Sequence, residues 1–576
     1  MMIATLPERL LQLTQADPER VCLRFRYADR PEMAQTRYGL MAAILSAAGQ
    51  LAAAGAARGD LVVIVQQDMR TLVATFFGAA WLGAIPSILP FATEKLDPAR
   101  YRASMVALLE LARPAILATD LLVERGVRAL LPGGHKNLPV VVTVKPECDG
   151  KVDLASISPP GLDPDDIALL QHSSGTTGLQ KGVALSHRAI FEQLDAYGQA
   201  IGFTADDVIV SWLPLYHDMG LIAGFLMPLL NGACLVMMSP FDWVRTPQML
   251  MHAISDHRGT LCWLPNFAFN FCAQKIRDRD LEGVDLSSIR AIINCSEPVY
   301  EASHHMFAER FRPYGVGLDK LAVCYAMAET VFGVSQTPIG LPARIDLVDR
   351  ASLRGDNIAR PVAGGASGVE RLVSTGKPIA GMQVCIMDAN HRLLPGRHVG
   401  EIAVRSPYML TEYYHRPDAT AAAFHEGWYL TGDMGYLADQ EVFVLGRKKD
   451  LLIVGGRNIY PQDLEALAST VKGVHPGRVA AFGIPNPETG TEDVGLVAEV
   501  DSESKAAWQD IRAEIRRAIS RGSDVTVRHI WLVPRGWLIK TSSGKVARLA
   551  NREKILSEYS GISPAMPGLP SPHYEG

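Results

Sequence analysis

The stretch Gln171 to Ser186, QHSSGTTGLQKGVALS, constrains the possible fold more than any other part of this sequence. A short apolar run, Ile167 to Leu170, leads into it, and apolar residues at Ile190, Leu194, Tyr197 and Ile201 follow at helical spacing. That order predicts strand, loop, helix. Gly175 and Gly178 let the loop fold tightly. The hydroxyls of Ser173, Ser174, Thr176 and Thr177 and the freed backbone N–H groups can donate to phosphate oxygens, and Lys181 adds a point charge. A Walker A loop ends in Gly-Lys-Ser/Thr and opens its helix there. Here Lys181 is followed by Gly182 and Val183, which excludes a P-loop nucleotide hydrolase. A solvated Ser/Gly/Thr linker is the other reading of the same composition.

Elsewhere strand-like runs alternate with helical patterns. Leu61 to Val65, Ala115 to Ala118 and Val140 to Val144 read as strands, and Met69 to Leu82 and Arg100 to Ala112 as helices, an α/β layout on parallel sheets. A chain of 576 residues implies several domains, and 48% hydrophobic with 20% charged residues suits a large core. The net charge of −5 gives no basic footprint, so nucleic acid is not an expected partner. Eight cysteines show no C-x-x-C pair or metal-ligand rhythm and sit in apolar surroundings, as expected of buried thiols in a reducing cytoplasm. Glu8 and Arg9 interrupt the N-terminus, so no secretory signal is read there. Met219 to Met238 is apolar enough for a membrane span, but Pro228 and the Asn231-Gly232 turn divide it, which predicts a buried helix and then a strand. The Pro-rich end, SPAMPGLPSPHYEG, reads as a loosely held tail.

Six further segments carry chemistry-bearing residues: WLPLYHDMG at Trp212–Gly220, IINCSEPV at Ile292–Val299, VCYAMAET at Val323–Thr330, LTGDMG at Leu430–Gly435, GRKKD at Gly446–Asp450 and IKTSSGK at Ile539–Lys545. With the 171–186 stretch they resemble, in order and across nearly the whole chain, the motifs of the adenylate-forming (ANL) superfamily. That group holds acyl-CoA synthetases, luciferases, nonribosomal peptide adenylation domains and fatty acyl-AMP ligases. The run LPLYHDMGL is similar to that of the fatty acyl-AMP ligases in particular. So is the long interval between Thr330 and the Ser374-Thr375-Gly376-Lys377-Pro378 turn, an insertion associated in that group with loss of productive CoA use. A loop of no consequence is the alternative, because extra loop length costs little.

The resemblance implies an α/β fold with a large multi-sheet N-terminal domain (1–446), a hinge (447–449) and a small mobile α+β C-terminal domain (450–576). It implies ATP held by Ser173, Ser174, Gly175, Thr176, Thr177, Gly178 and Lys181, and adenine between Ser296-Glu297-Pro298 and Tyr325-Ala326-Met327-Ala328, with Tyr325 stacked on the base. Asp433 would take the ribose hydroxyls, Arg447 would reach the nucleotide and Lys449 would absorb the hinge rotation. Glu329 is the implied Mg2+ ligand, and one carboxylate is chemically adequate for that ion when phosphates complete its shell. Many superfamily members carry a hydroxyl residue where this chain has Ala328, which leaves Thr330 or the phosphate loop to supply the missing contact.

His217 and Lys545 are the implied catalytic residues. A histidine beside a carboxylate and a phosphate can donate a hydrogen bond as charge shifts. A lysine between two approaching anions lowers the barrier to their reaction. Read without the motifs, Tyr325 and His217 are core residues and Lys545 a solvated cation. Past the hinge, Pro461 opens a helix with Asp463 and Glu465 in its first turn, and Lys505 to Ser520 places Trp508, Ile511, Ile515 and Ile519 on one face. The expected function is activation of a fatty acid to its adenylate and transfer to the phosphopantetheine thiol of an acyl carrier protein, in the cytoplasm and without a membrane span. A fatty acyl-CoA ligase, an amino-acid adenylation domain and a non-catalytic nucleotide-binding scaffold are the competing readings.

Overall fold

The computed structural model describes residues 4–93, 98–130, 139–145, 152–172, 181–454, 457–486, 491–501, 504–523, 526–541 and 544–558. They form two compact units. The larger comprises Met1–Arg350 and Ala359–Val444, and the smaller Ala351–Ile358 and Leu445–Gly576. The main boundary thus falls two residues before the expected 446. An eight-residue piece of the long interval belongs with the C-terminal part of the chain, not with its sequence neighbours.

A nine-stranded sheet organises the larger unit. Its parallel centre runs in the spatial order Leu321–Ala326, Ala291–Asn294, Leu261–Leu264, Val208–Ser211, Cys234–Met238 and Val21–Arg26. These strands are nearly continuous apolar runs, as burial on both faces demands. Val208–Ser211 pairs with Cys234–Met238 over four residues but with Leu261–Leu264 only at Ile209 opposite Leu261. Chain order reverses at that point, and the carboxyl ends of the strands beside such a reversal are where open α/β sheets bind ligands.

A four-stranded parallel sheet holds the predicted strands Leu61–Val65, Ile116–Thr119 and Val140–Thr143, and the two predicted helices span Met69–Trp81 and Pro98–Ala112. Met219–Leu226 is a π-helix, Met227–Leu230 a helical turn and Cys234–Met238 a strand. The apolar stretch is therefore divided as its proline and Asn-Gly turn require. No helix among the described residues is long and apolar enough to cross a membrane.

The 171–186 stretch differs from its reading in one respect. Between the loop and the helix lies a second strand, Gly182–Ser186, antiparallel to Ile167–His172. Val183 and Leu185 are fully buried, so the segment satisfies its backbone in a hairpin before Ser186 caps helix His187–Ile201 by accepting from the Ala189 N–H at 3.1 Å. Such a cap stabilises a helix by about 1 kcal/mol.

The long interval is ordered. Ile345–Asp349 pairs with Val369–Val373 in a two-stranded sheet, and a single π-turn, Ser352–Asp356, lies between them. Within the smaller unit that turn packs against strand Arg457–Ile459, and the Arg354 guanidinium donates to Asp463 at 3.3 Å. The rest of that unit is a three-stranded sheet, Val474–Asn486, Thr491–Val500 and Val527–Val533. Helices Pro461–Ser469 and Lys505–Gly522 cover it, and Ile511, Ile515 and Ile519 are buried as predicted. The Pro-rich tail lies outside the described residues. The seven described cysteines are free thiols, five of them buried: Cys22, Cys262, Cys272, Cys295 and Cys324.

Three histidines of the larger unit are buried neutral. His187 Nδ1 accepts from the Leu6 N–H, His304 Nε2 accepts from the Asn294 amide, and His172 Nδ1 lies 2.8 Å from the Ser87 hydroxyl. Burial pushes each down to about 4. The folded state then binds fewer protons than the unfolded chain between about 4 and the ordinary histidine value of about 6.5. Their contribution is complete above that ordinary value and is lost as pH falls through the window. The melting temperature is expected to drop between about pH 7 and pH 5, and His187→Gln to flatten part of the slope. Calorimetry showing a flat profile over that range would contradict the assignment.

Candidate active site

Three loops follow the carboxyl ends of the central strands. After Val208–Ser211, Pro214 to Met219 folds back on itself: the His217 N–H donates to Pro214 O and the Leu221 N–H to His217 O. Gly220 is obligatory there, because a Cβ at this position would sit 2.3 Å from Pro214 O. Asp218 accepts from the Met219 N–H and so orients the loop. His217 is half-buried, its ring 5.3 Å from that of Tyr216, whose carbonyl accepts from the Gln171 side chain. The His217 loop is therefore tied to the strand that leads into the 173–180 loop. Ser173, Ser174, Gly175, Thr176, Thr177 and Gly178 lie outside the described residues.

The second loop follows Ala291–Asn294. Ser296 takes a positive φ of 70°, and Glu297 accepts from the Phe267 N–H at 3.0 Å, fixing this loop to the end of the neighbouring strand. Pro298 is exposed. The third follows Leu321–Ala326. Tyr325 is buried, and its hydroxyl donates to Asp433 Oδ2 at 2.7 Å. Asp433 lies on strand Trp428–Ala438 of a separate five-stranded sheet, in a turn where Thr431 Oγ1 accepts from the Asp433 N–H and Glu401 accepts from the Gly432 N–H. The two residues read from motifs 108 positions apart thus meet directly. Ala326 and Met327 are half-buried and Ala328 buried.

Glu329 sits in a short turn, Ala328–Thr330, closed by an unusual device. Val331 has φ 65° and ψ −52°, and the Phe332 N–H donates to Thr330 O at 2.7 Å, a γ-turn of the strained kind. A β-branched residue in that region costs about 1–3 kcal/mol. Full burial of the Val331 side chain returns about 1.5–3 kcal/mol, enough to hold it. Thr330 is fully buried with its hydroxyl against Met327 O and Phe332 O. Of the two groups expected to replace the hydroxyl missing at Ala328, Thr330 points its own into the turn, and the phosphate loop lies outside the described residues.

Two tyrosines that sequence reasoning missed support Glu329. The Tyr413 hydroxyl donates to Glu329 Oε1 at 2.8 Å, and the Tyr429 hydroxyl lies 2.9 Å from the Tyr413 oxygen. Burial first, and the Glu329 charge second, push both phenols well above their ordinary range, so they remain protonated donors. The other face of Tyr413 carries Lys181, whose Nζ stands 4.3 Å above the ring. Tyr413 therefore links the lysine that ends the Ser/Thr loop to the carboxylate. Its partners lie 84 and 16 residues away; the Leu410 N–H, which donates to Glu329 O, and the pairing of Glu412–Tyr413 with Gly182–Ser186 hold Tyr413 in place.

In the smaller unit Arg447, Lys448 and Lys449 are exposed at the 448–450 turn. Lys545 is half-exposed in a hairpin closed by the bridge of Lys540 with Val546. No group of three metal-ligating side chains occurs among the described residues; Glu329 is a single carboxylate, which suffices for a hard cation only where phosphate oxygens complete its shell.

The profile of the AMP-binding enzyme family matches residues 13–414. A long-chain-fatty-acid–AMP ligase of Mycobacterium marinum is 32% identical over 87% of this chain and 88% of its own length. A medium-chain-fatty-acid–acyl-carrier-protein ligase of Moorena producens is 34% identical over 69% of each. Among solved structures, one from a study of fatty acyl-adenylate ligases of E. coli and L. pneumophila superposes with a TM-score of 0.87 at 26% identity, over 96% of this chain and 98% of that one.

Replacing Tyr413 by Phe keeps the ring beneath Lys181 and removes the donor to Glu329. A hydrogen bond to a charged group contributes about 1.5–3 kcal/mol to stability, so the melting temperature should fall by a few degrees, while turnover of the still-folded protein should fall about tenfold or more. Glu329→Gln should behave alike in steady-state assays. Equal losses of activity and of melting temperature would make both residues purely structural.

Proposed function

Because the chain belongs to the AMP-binding enzyme family, we propose that the larger unit's crevice binds ATP and a fatty acid and joins them as an acyl-adenylate. The acyl group then passes to the phosphopantetheine thiol of an acyl carrier protein. The observation that carries this reading is the convergence of Tyr325 with Asp433 and of Glu329 with Tyr413 and Lys181 at the carboxyl ends of the central strands. A scaffold without chemistry would have no use for a carboxylate held by a strained turn and two phenols. The fatty substrate and carrier acceptor are those named for the Mycobacterium and Moorena relatives.

In the first step a fatty-acid carboxylate oxygen attacks the α-phosphorus of ATP in line, and pyrophosphate leaves. Lys181 and the 173–178 loop offset the phosphate charge. Tyr325 packs on adenine, its ring fixed by its own bond to Asp433, and the remaining acceptor sites of Asp433 take the ribose hydroxyls. His217 donates to the oxygen on which charge gathers, and Lys545 stands between the two anions. When bound, Mg2+ would supply further charge neutralisation at the phosphates, with Glu329 as its protein ligand. In the second step the thiol sulfur attacks the acyl carbonyl and AMP leaves. Arg447 is assigned to the nucleotide and Lys449 to the rotation that separates the two steps.

The long interval sets the acceptor in this reading. Its Ala351–Ile358 piece belongs to the smaller unit, so the chain passes between the units at three points in sequence instead of one. That restriction disfavours an arrangement needed for CoA, and a bias of about 1.4 kcal/mol changes such a population tenfold.

With ATP, Mg2+ and a fatty acid the purified protein should accumulate acyl-AMP, load a phosphopantetheinylated carrier protein and give little acyl-CoA. Efficient acyl-CoA synthesis would promote the CoA ligase reading. Lys545→Ala should lose most adenylate formation, read as pyrophosphate exchange, and keep transfer from supplied acyl-AMP.

A further inference from the structure

Lys545 stands on a hairpin whose base is locked. The Thr541 N–H donates to Lys545 O and the Ala547 N–H to Ile539 O, while the Lys545 N–H donates to Thr541 Oγ1. Asn551, fully buried, closes the base from below: it accepts from the Ile539 N–H at 2.7 Å and donates to the carbonyls of Ile539 and Ala547. The base of the hairpin is thus joined to helix Arg548–Glu558.

The first residue of that helix fastens the piece to the rest of the smaller unit. Arg548 forks onto Glu465 through Nε and Nη2, both at 2.7 Å, and its Nη1 donates to Asp450 at 2.8 Å. Glu465 is held in turn by the Ala481 N–H at 2.9 Å. All three charged side chains are mostly covered, at 23, 18 and 14% exposure for Arg548, Asp450 and Glu465. Burial alone would weaken the guanidinium's hold on its proton, and the two carboxylates more than reverse that. A planar fork between two carboxylates fixes direction as well as distance, which a lysine cannot do. Asp450 closes the 448–450 turn where the smaller unit begins, and Arg548 is three residues past Lys545.

We propose that Arg548 is a positioning residue for adenylation, which through Asp450 makes the Lys545 hairpin and the 448–450 turn move as a single body. The inference rests on the adenylation role given to Lys545 above. If that link is cut, Lys545 retains its chemistry but loses its aim. Asp450→Asn keeps the shape and removes one charge of the fork, and Arg548→Lys keeps the charge and removes the fork. Asp450→Glu restores the charge.

The test measures pyrophosphate exchange, acyl transfer from supplied acyl-AMP to a carrier-protein thiol, and melting temperature for these three variants beside Lys545→Ala. A misplacement of about 1 Å can cost about a hundredfold, so Asp450→Asn and Arg548→Lys should lower kcat for exchange by about tenfold or more. KM for ATP and fatty acid and the transfer rate should stay within about twofold, and Asp450→Glu should recover part of the loss. Two results overturn the inference alone: wild-type exchange in both variants while Lys545→Ala is defective, or exchange and transfer falling together with the melting temperature. Wild-type exchange in Lys545→Ala overturns the role of Lys545 and this inference with it.

Discussion

The bond from the Tyr413 hydroxyl to Glu329 is where the larger unit's architecture converges. Glu329 stands at the end of a strand of the nine-stranded sheet, Tyr413 belongs to the three-stranded sheet with Gly182–Ser186, and Tyr429 to the five-stranded sheet. Three sheets that share no backbone ladder are registered against one another by two phenols and a carboxylate. In buried surroundings a hydrogen bond to a charge is strong and its loss expensive. The position of that carboxylate is therefore a property of the packing of the whole unit.

The same principle governs the end of the sheet where Tyr325 lies. Tyr325 and Asp433 come from the nine- and five-stranded sheets, and their 2.7 Å contact is a second tie between those layers. A third lies behind it: the Thr375 N–H donates to Val442 O and the Val442 N–H to Gly376 O, while Ser335 reaches Thr375. Gly376, at φ 87°, is the residue that permits this, since a Cβ would stand 2.1 Å from the Gln336 backbone. Polar groups near these strand ends thus serve as ties between layers.

Much of this was legible in the sequence. Strands such as Leu61–Val65 and helices such as Met69–Trp81 announce themselves by period and length, and the turn residues at Pro228 and Asn231-Gly232 divide an apolar run correctly. Motif order pointed to the family and to Tyr325, Glu329 and Asp433, because the local sequence around each is distinctive. What escaped was decided by distant pairing. Tyr413 and Tyr429 carry no local signature, and nothing near them in sequence names Glu329 as their partner. The strand Gly182–Ser186 was read as part of a loop, since five residues between a Gly-rich segment and a helix give too little pattern to separate strand from coil. Ala351–Ile358 was assigned with its neighbours because sequence continuity is a poor guide once a chain leaves a unit and returns.

That return has a consequence for how the protein is made. Arg354 leaves the ribosome 109 residues ahead of Asp463, the side chain it pairs with. At ordinary rates of synthesis the delay is on the order of 5–20 s, long compared with the closing of a local turn. Throughout it Leu353, buried in the finished protein, has none of the C-terminal part of its own unit to pack against. The smaller unit cannot be completed by its C-terminal residues alone, because it takes in a segment made before the last part of the larger unit. Order of emergence, and not only final stability, is thereby written into where the chain crosses.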